Sequence, residues 1–314
     1  MRVAALAGGI GAGKFLRGLT RVIPGDDLTV VLNVADDVWV HGLRVCPDPD
    51  SVTYWLGDVF DRERGWGRRD ETFRATEELR SFGAPDAWFN LGDLDLATHL
   101  FRTTELAAGR TLSEVTAAIA ERFGVGARLL PVSDDPVETR IDATSADGAT
   151  LDLHFQEYWV RRGGRDGVKG VRYVGVDRAR PAPGVLAAVA EADVVVICPS
   201  NPVVSIGPIL AVSGVREAVA ARRPRVVGVS GIVAGAPVAG MADRLMPAVG
   251  IEVSAAGVAG AYRDLLGGWV IDRADNGLAG RIEAMGIRTA VTDTIMRDDD
   301  DAGRVARAAL ALAG

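Results

Sequence analysis

Carboxylates recur in this chain beside small turn residues, the setting in which phosphate and metal chemistry is usually done. Asn33-Val34-Ala35-Asp36-Asp37 closes an apolar run, and Cys46-Pro47-Asp48-Pro49-Asp50-Ser51 follows soon after. Asn90-Leu91-Gly92-Asp93-Leu94-Asp95 leads into Leu96-Ala97-Thr98-His99. Adjacent carboxylates next to a phosphate site suit magnesium, which takes oxygen ligands and completes its shell with substrate phosphates. Asp48 and Asp50 are each fit either to ligate a metal or to accept a proton from a hydroxyl nucleophile. The prolines around them predict a stiff, extended segment that ends in a helix cap at Asp50 or Ser51. Asp95 and His99 stand at i, i+4, the spacing of neighbours on one helical face. The blander alternatives are solvated turns and helix caps, with Asp93 as one such cap.

A phosphate would be held by Ala7-Gly8-Gly9-Ile10-Gly11-Ala12-Gly13-Lys14, which follows the apolar run Val3–Leu6 and precedes a helix-like stretch. Glycines let the backbone approach an anion, and a helix N-terminus supplies free N–H groups and partial positive charge. Gly8, Gly9, Gly11, Gly13 and Lys14 are therefore candidate phosphate contacts. The spacing from Gly8 to Lys14 matches a P-loop, but Phe15 stands where a magnesium-binding Ser or Thr belongs. The dinucleotide fingerprint fails too, because Lys14 replaces its last glycine. A second strand-to-helix turn, Cys198-Pro199-Ser200-Asn201-Pro202-Val203-Val204-Ser205, carries hydrogen-bonding groups at Ser200, Asn201 and Ser205 suited to a base, ribose or phosphate.

The elements that must position these residues read as alternating strands and helices. Strands are predicted near 3–7, 28–34, 193–198, 225–229 and 269–271. Helices are predicted near 14–22, 51–58, 204–221, 240–249 and 253–266. Buried, non-alternating strands between helices imply an α/β, doubly wound, mostly parallel Rossmann-like sheet. The middle of the chain breaks this rhythm. Helices near 71–81, 94–108 and 112–123 precede strands near 128–132, 138–141 and 151–160. Thr111 and Glu114 form a capping-box pair for the third of these helices. The expected organisation is a nucleotide-binding core from residues 1–60 and 180–314, with 61–179 as an inserted helical and antiparallel-strand subdomain beside the acceptor. The run Arg161–Asp166 reads as a mobile loop.

The chain has 314 residues, 48% of them hydrophobic, and a net charge of −7. A core of ordinary size follows. Without a basic tract, nucleic-acid binding is not expected. No apolar stretch is long enough to span a bilayer, and no signal peptide is evident. Two distant cysteines, Cys46 and Cys198, argue for a reducing cytoplasm and against a disulfide framework. The scattered histidines His41, His99 and His154 predict no metal cluster.

Taken together, these stretches resemble the 2-phospho-L-lactate transferase or phosphoenolpyruvate transferase family of deazaflavin coenzyme F420 biosynthesis. The resemblance rests on collinear pieces that span the chain. They are the glycine loop followed by Phe15-Leu16, the Asp36-Asp37 pair, His41 to Asp50, Arg64-Gly65-Trp66-Gly67, Leu91 to His99, His154 to Val160, and Pro199 to Pro208. It implies an enzyme that moves a phosphorylated three-carbon unit from a guanosine-diphosphate donor to the ribityl hydroxyl of a deazariboflavin, Fo. GMP leaves and magnesium assists. By the same resemblance Asp50 is the acceptor-contacting carboxylate, and Asp36 with Asp48 or Asp50 is the metal site. The resulting expectation is Asp48 and Asp50 as catalytic groups and Asp36 and Asp50 as metal ligands. Asp50, Asn90, Asp93, Leu94, Asp95 and His99 are expected beside the acceptor. Many relatives carry Arg or Lys where this chain has Leu94, so one cation is missing there. A homodimer is expected, with the apolar C-terminal helix 302–313 and the middle insertion as the two candidate faces and a place in the core as the alternative for each. The competing reading is a non-catalytic relative that binds a nucleotide sugar and regulates.

Overall fold

The computed structural model describes residues 1–313. Its centre is a seven-stranded sheet. From edge to edge the strands are Arg288–Thr292, Gly268–Asp272, Val226–Val229, Val194–Ile197, Val3–Ala7, Leu28–Leu32 and Arg128–Pro131. Every neighbouring pair is parallel. Strands 3–7, 194–197, 226–229 and 268–272 are buried at every position, as strands covered by helices on both faces must be. The chain first builds outward from Val3–Ala7 through Leu28–Leu32 to Arg128–Pro131. It then returns to the other side of the first strand and builds the remaining strands in turn. The reversal leaves a crevice between the carboxyl ends of Val3–Ala7 and Val194–Ile197, the place where open α/β sheets bind ligands.

The doubly wound reading holds, and the central sheet is wholly parallel. The middle segment differs from its expected boundaries. Arg128–Pro131 lies inside 61–179 yet pairs with Leu28–Leu32 in the central sheet. The helices Arg74–Ser81, Asp93–Ala107 and Leu112–Arg122 thus belong to one long crossover between two core strands. The antiparallel part is Glu138–Thr144 between Thr150–His154 and Gly167–Val174. The predicted strand near 151–160 stops at His154, and Glu157–Arg161 turns helically. Within the expected loop, Arg162 and Asp166 are joined by an ion pair at 2.5 Å. The capping box forms as read, Thr111 and Glu114 each satisfying the other's backbone N–H.

Two helices start earlier than the sequence suggests. The glycine-rich helix is Gly9–Leu19, so its glycines form the helix rather than a loop before it. The next is Pro47–Leu56, which puts Asp48 and Asp50 in its first turn and not in an extended lead-in. Prolines are tolerated there because first-turn N–H groups have no intrahelical acceptor, and carboxylates there meet the positive end of the helix. The C-terminal helix Asp299–Ala311 buries Ala302, Val305, Ala306 and Ala309 inside the molecule. Its apolar face is therefore core, not a free dimer face. Among the described residues no helix is long and apolar enough to cross a membrane.

Candidate active site

The glycine helix and the Pro199–Ser205 turn meet at the crevice. Gly8 N–H donates to Ser200 Oγ at 3.3 Å. A Cβ on Gly8 would lie 2.2 Å from Asp48 Oδ2 and 2.7 Å from Ser205 Cβ, so only glycine admits the carboxylate here. Gly9 has φ +76°, a left-handed conformation that glycine adopts without strain. A Cβ on Gly11 would lie 2.6 Å from the Pro199 carbonyl oxygen, which brings the two turns close together. The first-turn N–H groups of this helix lack intrahelical acceptors, and Ile10 stands exposed among them.

Asp48 and Asp50 are two residues apart on one helix, so they diverge to opposite sides. Asp48 turns to the glycine helix. Asn33 Nδ2 donates to Asp48 Oδ2 at 2.9 Å and to the Val204 carbonyl at 3.0 Å, tying the end of the second strand to helix Pro47–Leu56 and to the Pro199–Ser205 turn. Burial pushes the Asp48 carboxyl up to about 7, although Asn33, Ser205 and the Gly9 N–H donate to it. Asp36 belongs to this half of the site. Burial, and then the neighbouring Asp48 charge, push its carboxyl well above the ordinary range. Its Oδ1 is buried without a hydrogen-bond partner.

Asp50 turns the other way, to helix Asp93–Ala107. It forms a buried ion pair with Arg102, through Oδ1, while its Oδ2 has no hydrogen-bond partner. Tyr54, one turn further along, donates to Asp95 Oδ1 at 2.5 Å. His99 Nε2 lies 3.3 Å from the same oxygen, so the i, i+4 spacing brings the two together, without hydrogen-bond geometry. Burial would raise the Asp95 carboxyl, but His99, Tyr54 and Arg102 together hold it below its usual value. Asp37 points away from Asp36. It pairs with Arg44 at 3.1 Å and accepts from Cys46 Sγ at 2.9 Å. Burial lifts its carboxyl to about 6 against the pull of Arg44.

Several other candidates have different work in this structure. Gly13 is in the helix interior, where a Cβ would stand 2.5 Å from Trp55 Cδ1, so its smallness serves helix packing. Lys14 Nζ lies 6.0 Å from the Trp55 ring centroid. Burial, and next the nearby Arg62, lower its pKa. Asn201 Oδ1 accepts from the N–H groups of Val203 and Val204 and caps the turn that follows. Asp93 accepts from the N–H groups of Arg74 and Ala75, capping helix Arg74–Ser81. Glu71 accepts from the N–H groups of Leu94 and Asp95, so that helix start is already satisfied. Leu94 itself is exposed, and Asn90 is half-buried on the preceding turn. Asn33, Tyr54 and Arg102 were not among the expected site residues. Arg102 was within reach of pattern reasoning, since it follows His99 at i+3.

Among the described residues no three His, Cys, Asp or Glu side chains gather as a ready ligand set. Asp36 Oδ1, Asp37 Oδ1 and Asp50 Oδ2 are instead single buried carboxylate oxygens without a hydrogen-bond partner. That suits magnesium, which keeps one or two protein carboxylates and takes its other ligands from water and substrate phosphates.

Comparison with known proteins places the chain. Residues 3–302 match the family model described as 2-phospho-L-lactate transferase CofD. The chain is 51% identical to the phosphoenolpyruvate transferase of Kitasatospora aureofaciens, covering all of this chain and 98% of that protein. It is 50% identical to that of Streptomyces coelicolor, and 42% identical to that of Mycolicibacterium smegmatis over 99% of its length. A crystal structure of a UPF0052 family member from Bacillus halodurans aligns with TM-score 0.65 at 18% identity, covering 98% of both chains. That likeness speaks to the fold alone.

Proposed function

The chain belongs to the 2-phospho-L-lactate transferase family and is a transferase; from that premise we propose that it moves a phosphoenolpyruvyl group from a guanosine-diphosphate donor to the ribityl hydroxyl of Fo, in F420 biosynthesis. The name borne by the relatives at about half identity supports enolpyruvyl as the three-carbon unit. The observation that carries the reading is the buried Asp36 carboxylate, with its unpartnered Oδ1, next to Asp48 against the glycine helix at the sheet's switch point.

The donor diphosphate lies across the start of helix Gly9–Leu19, whose free N–H groups receive phosphate oxygens. Ser200 and Ser205 line the opposite turn. Asp36, with Asp48 or Asp50, would hold magnesium, which when bound would supply charge neutralisation on the diphosphate. The Fo hydroxyl oxygen attacks the phosphorus that carries the enolpyruvyl group, and the bond from that phosphorus to the GMP oxygen breaks. The hydroxyl proton passes to a carboxylate. Asp48 suits that task, because a base titrating near 7 combines the right protonation state with adequate basicity. The rest of the catalysis is positioning and electrostatics, as is usual when phosphorus is transferred.

Asp36→Asn tests the reading. Removing the carboxylate is expected to lower the rate of GMP release about a hundredfold or more. The same change relieves a buried acid and should leave the melting temperature unchanged or higher. Full activity of Asp36→Asn would refute the role.

A further inference from the structure

Arg102 is 2% exposed. Arginine is rarely taken out of water without charged and hydrogen-bonding partners. Here each terminal nitrogen is engaged. Nη2 holds Asp50 Oδ1. Nη1 lies 3.2 Å from the Arg44 carbonyl oxygen and 3.0 Å from His99 Nδ1. A guanidinium has no acceptor, so His99 Nδ1 must present its lone pair to it. The ring proton is then on Nε2, facing Asp95 Oδ1 at 3.3 Å. That oxygen also takes the Tyr54 hydroxyl at 2.5 Å. These side chains form one buried row, in which the His99 Nε2 to Asp95 step is a close approach without hydrogen-bond geometry. Asp95, His99 and Arg102 stand at i, i+4 and i+7 on one helix face. Asp50 and Tyr54 stand at i and i+4 on the helix opposite.

We propose, on the reading of Asp50 as a working carboxylate of the transfer site, that Arg102 is its positioning residue. The guanidinium fixes the His99 tautomer through Nδ1, with the Asp95 carboxylate on the Nε2 side; His99 in turn sets the angle of the guanidinium, and the guanidinium occupies one oxygen of Asp50 so that the other is left for the reaction. Asp95 and His99 thereby act through Arg102 and not by touching the acceptor.

A mutant cycle read by kcat and KM tests this. Arg102→Lys keeps the charge and loses the fork of donors. It is expected to lower kcat about tenfold to a hundredfold with the donor KM changed less than about threefold, the signature of a misaimed group. In an Asp50→Asn background the same substitution is expected to cause no further loss, because the two residues act as one unit. His99→Phe removes the acceptor for Arg102 while keeping a ring in its place, and should lower kcat in the same direction. Equal losses in both backgrounds, or wild-type kcat in His99→Phe, would overturn the proposal. A second readout needs no turnover. Nitrogen-15 spectra of the imidazoles should show His99 unprotonated at Nδ1 in the wild type and a changed ring state in Arg102→Lys. A protonated Nδ1 in the wild type would overturn the chain. The expected tautomer in a protein that turns over no guanosine donor would support the chain of contacts and contradict the reading of the reaction.

Discussion

At the scale of the residue, the site is a store of buried acid. Asp36, Asp37 and Asp48 are each raised by burial, Asp37 to about 6 and Asp48 to about 7. An unfolded chain releases these protons near the ordinary value of 3.8, whereas the folded chain holds them further up the scale. Between those limits the folded state carries more protons, so stability falls as pH rises from about 4 through about 7. Asp48→Asn removes its share of that slope. In the absence of divalent cations the variant should melt several degrees above the wild type at pH 8, and the gap should close toward pH 4. Thermal denaturation across that range checks it, and identical melting curves at pH 8 would contradict the burial argument. Most of these acids were visible in the sequence because acids beside turn residues are unusual in an apolar setting. Their division into an Asp36–Asp48 half and an Asp37–Asp50 half was not visible. It depends on where the helix at Pro47 begins, and two prolines in its first turn read equally well as extended chain.

At the scale of the element, glycine carries two meanings that the sequence merges. Gly8 and Gly9 serve the crevice, one by admitting Asp48 and the other by its positive φ. Gly13 and Gly18 serve packing, since a Cβ on Gly18 would stand 2.3 Å from the Ala302 backbone carbon. The two groups should separate on mutation. Gly13→Ala and Gly18→Ala are expected to cost about 1–3 kcal/mol of stability by overpacking two helix contacts, with KM for the donor near wild type. Gly8→Ala should instead raise KM or lower kcat by displacing Asp48. Chemical denaturation and steady-state kinetics on the three variants check this, and a stable Gly13→Ala enzyme with lost donor affinity would return that residue to the phosphate site. Asp93→Ala provides a parallel test. Loss of the cap on helix Arg74–Ser81 should cost about 1 kcal/mol and leave the acceptor KM unchanged. A rise in acceptor KM without a loss of stability would restore Asp93 to the acceptor site.

At the scale of the whole molecule, the site exists because the sheet reverses direction. Ser200 lies far along the chain from Gly8, yet the pairing of Val194–Ile197 with Val3–Ala7 brings them to hydrogen-bond distance. The strands themselves were legible as unbroken apolar runs. Arg128–Pro131 was legible as a strand but not as a member of the central sheet, since pairing partners leave no local mark. The edge strand Arg288–Thr292 was missed because only part of it is covered and its residues do not form an apolar run. The acceptor's surroundings were the least legible part. Leu91 to His99 supplies a cap, a satisfied helix start and two members of the Arg102 chain, and residue type alone does not tell these uses from ligand contact.

The central claim is the transfer itself. The most direct measurement is a magnesium-dependent assay of the purified protein with Fo and, in parallel, the enolpyruvyl- and lactyl-diphosphoguanosine donors, with GMP release and acceptor mass read together. The account predicts GMP release matched mole for mole by conversion of Fo, with the enolpyruvyl donor preferred and the reaction abolished by removing the metal. Binding of a nucleotide without GMP release or acceptor conversion from either donor would contradict it and favour a regulatory relative.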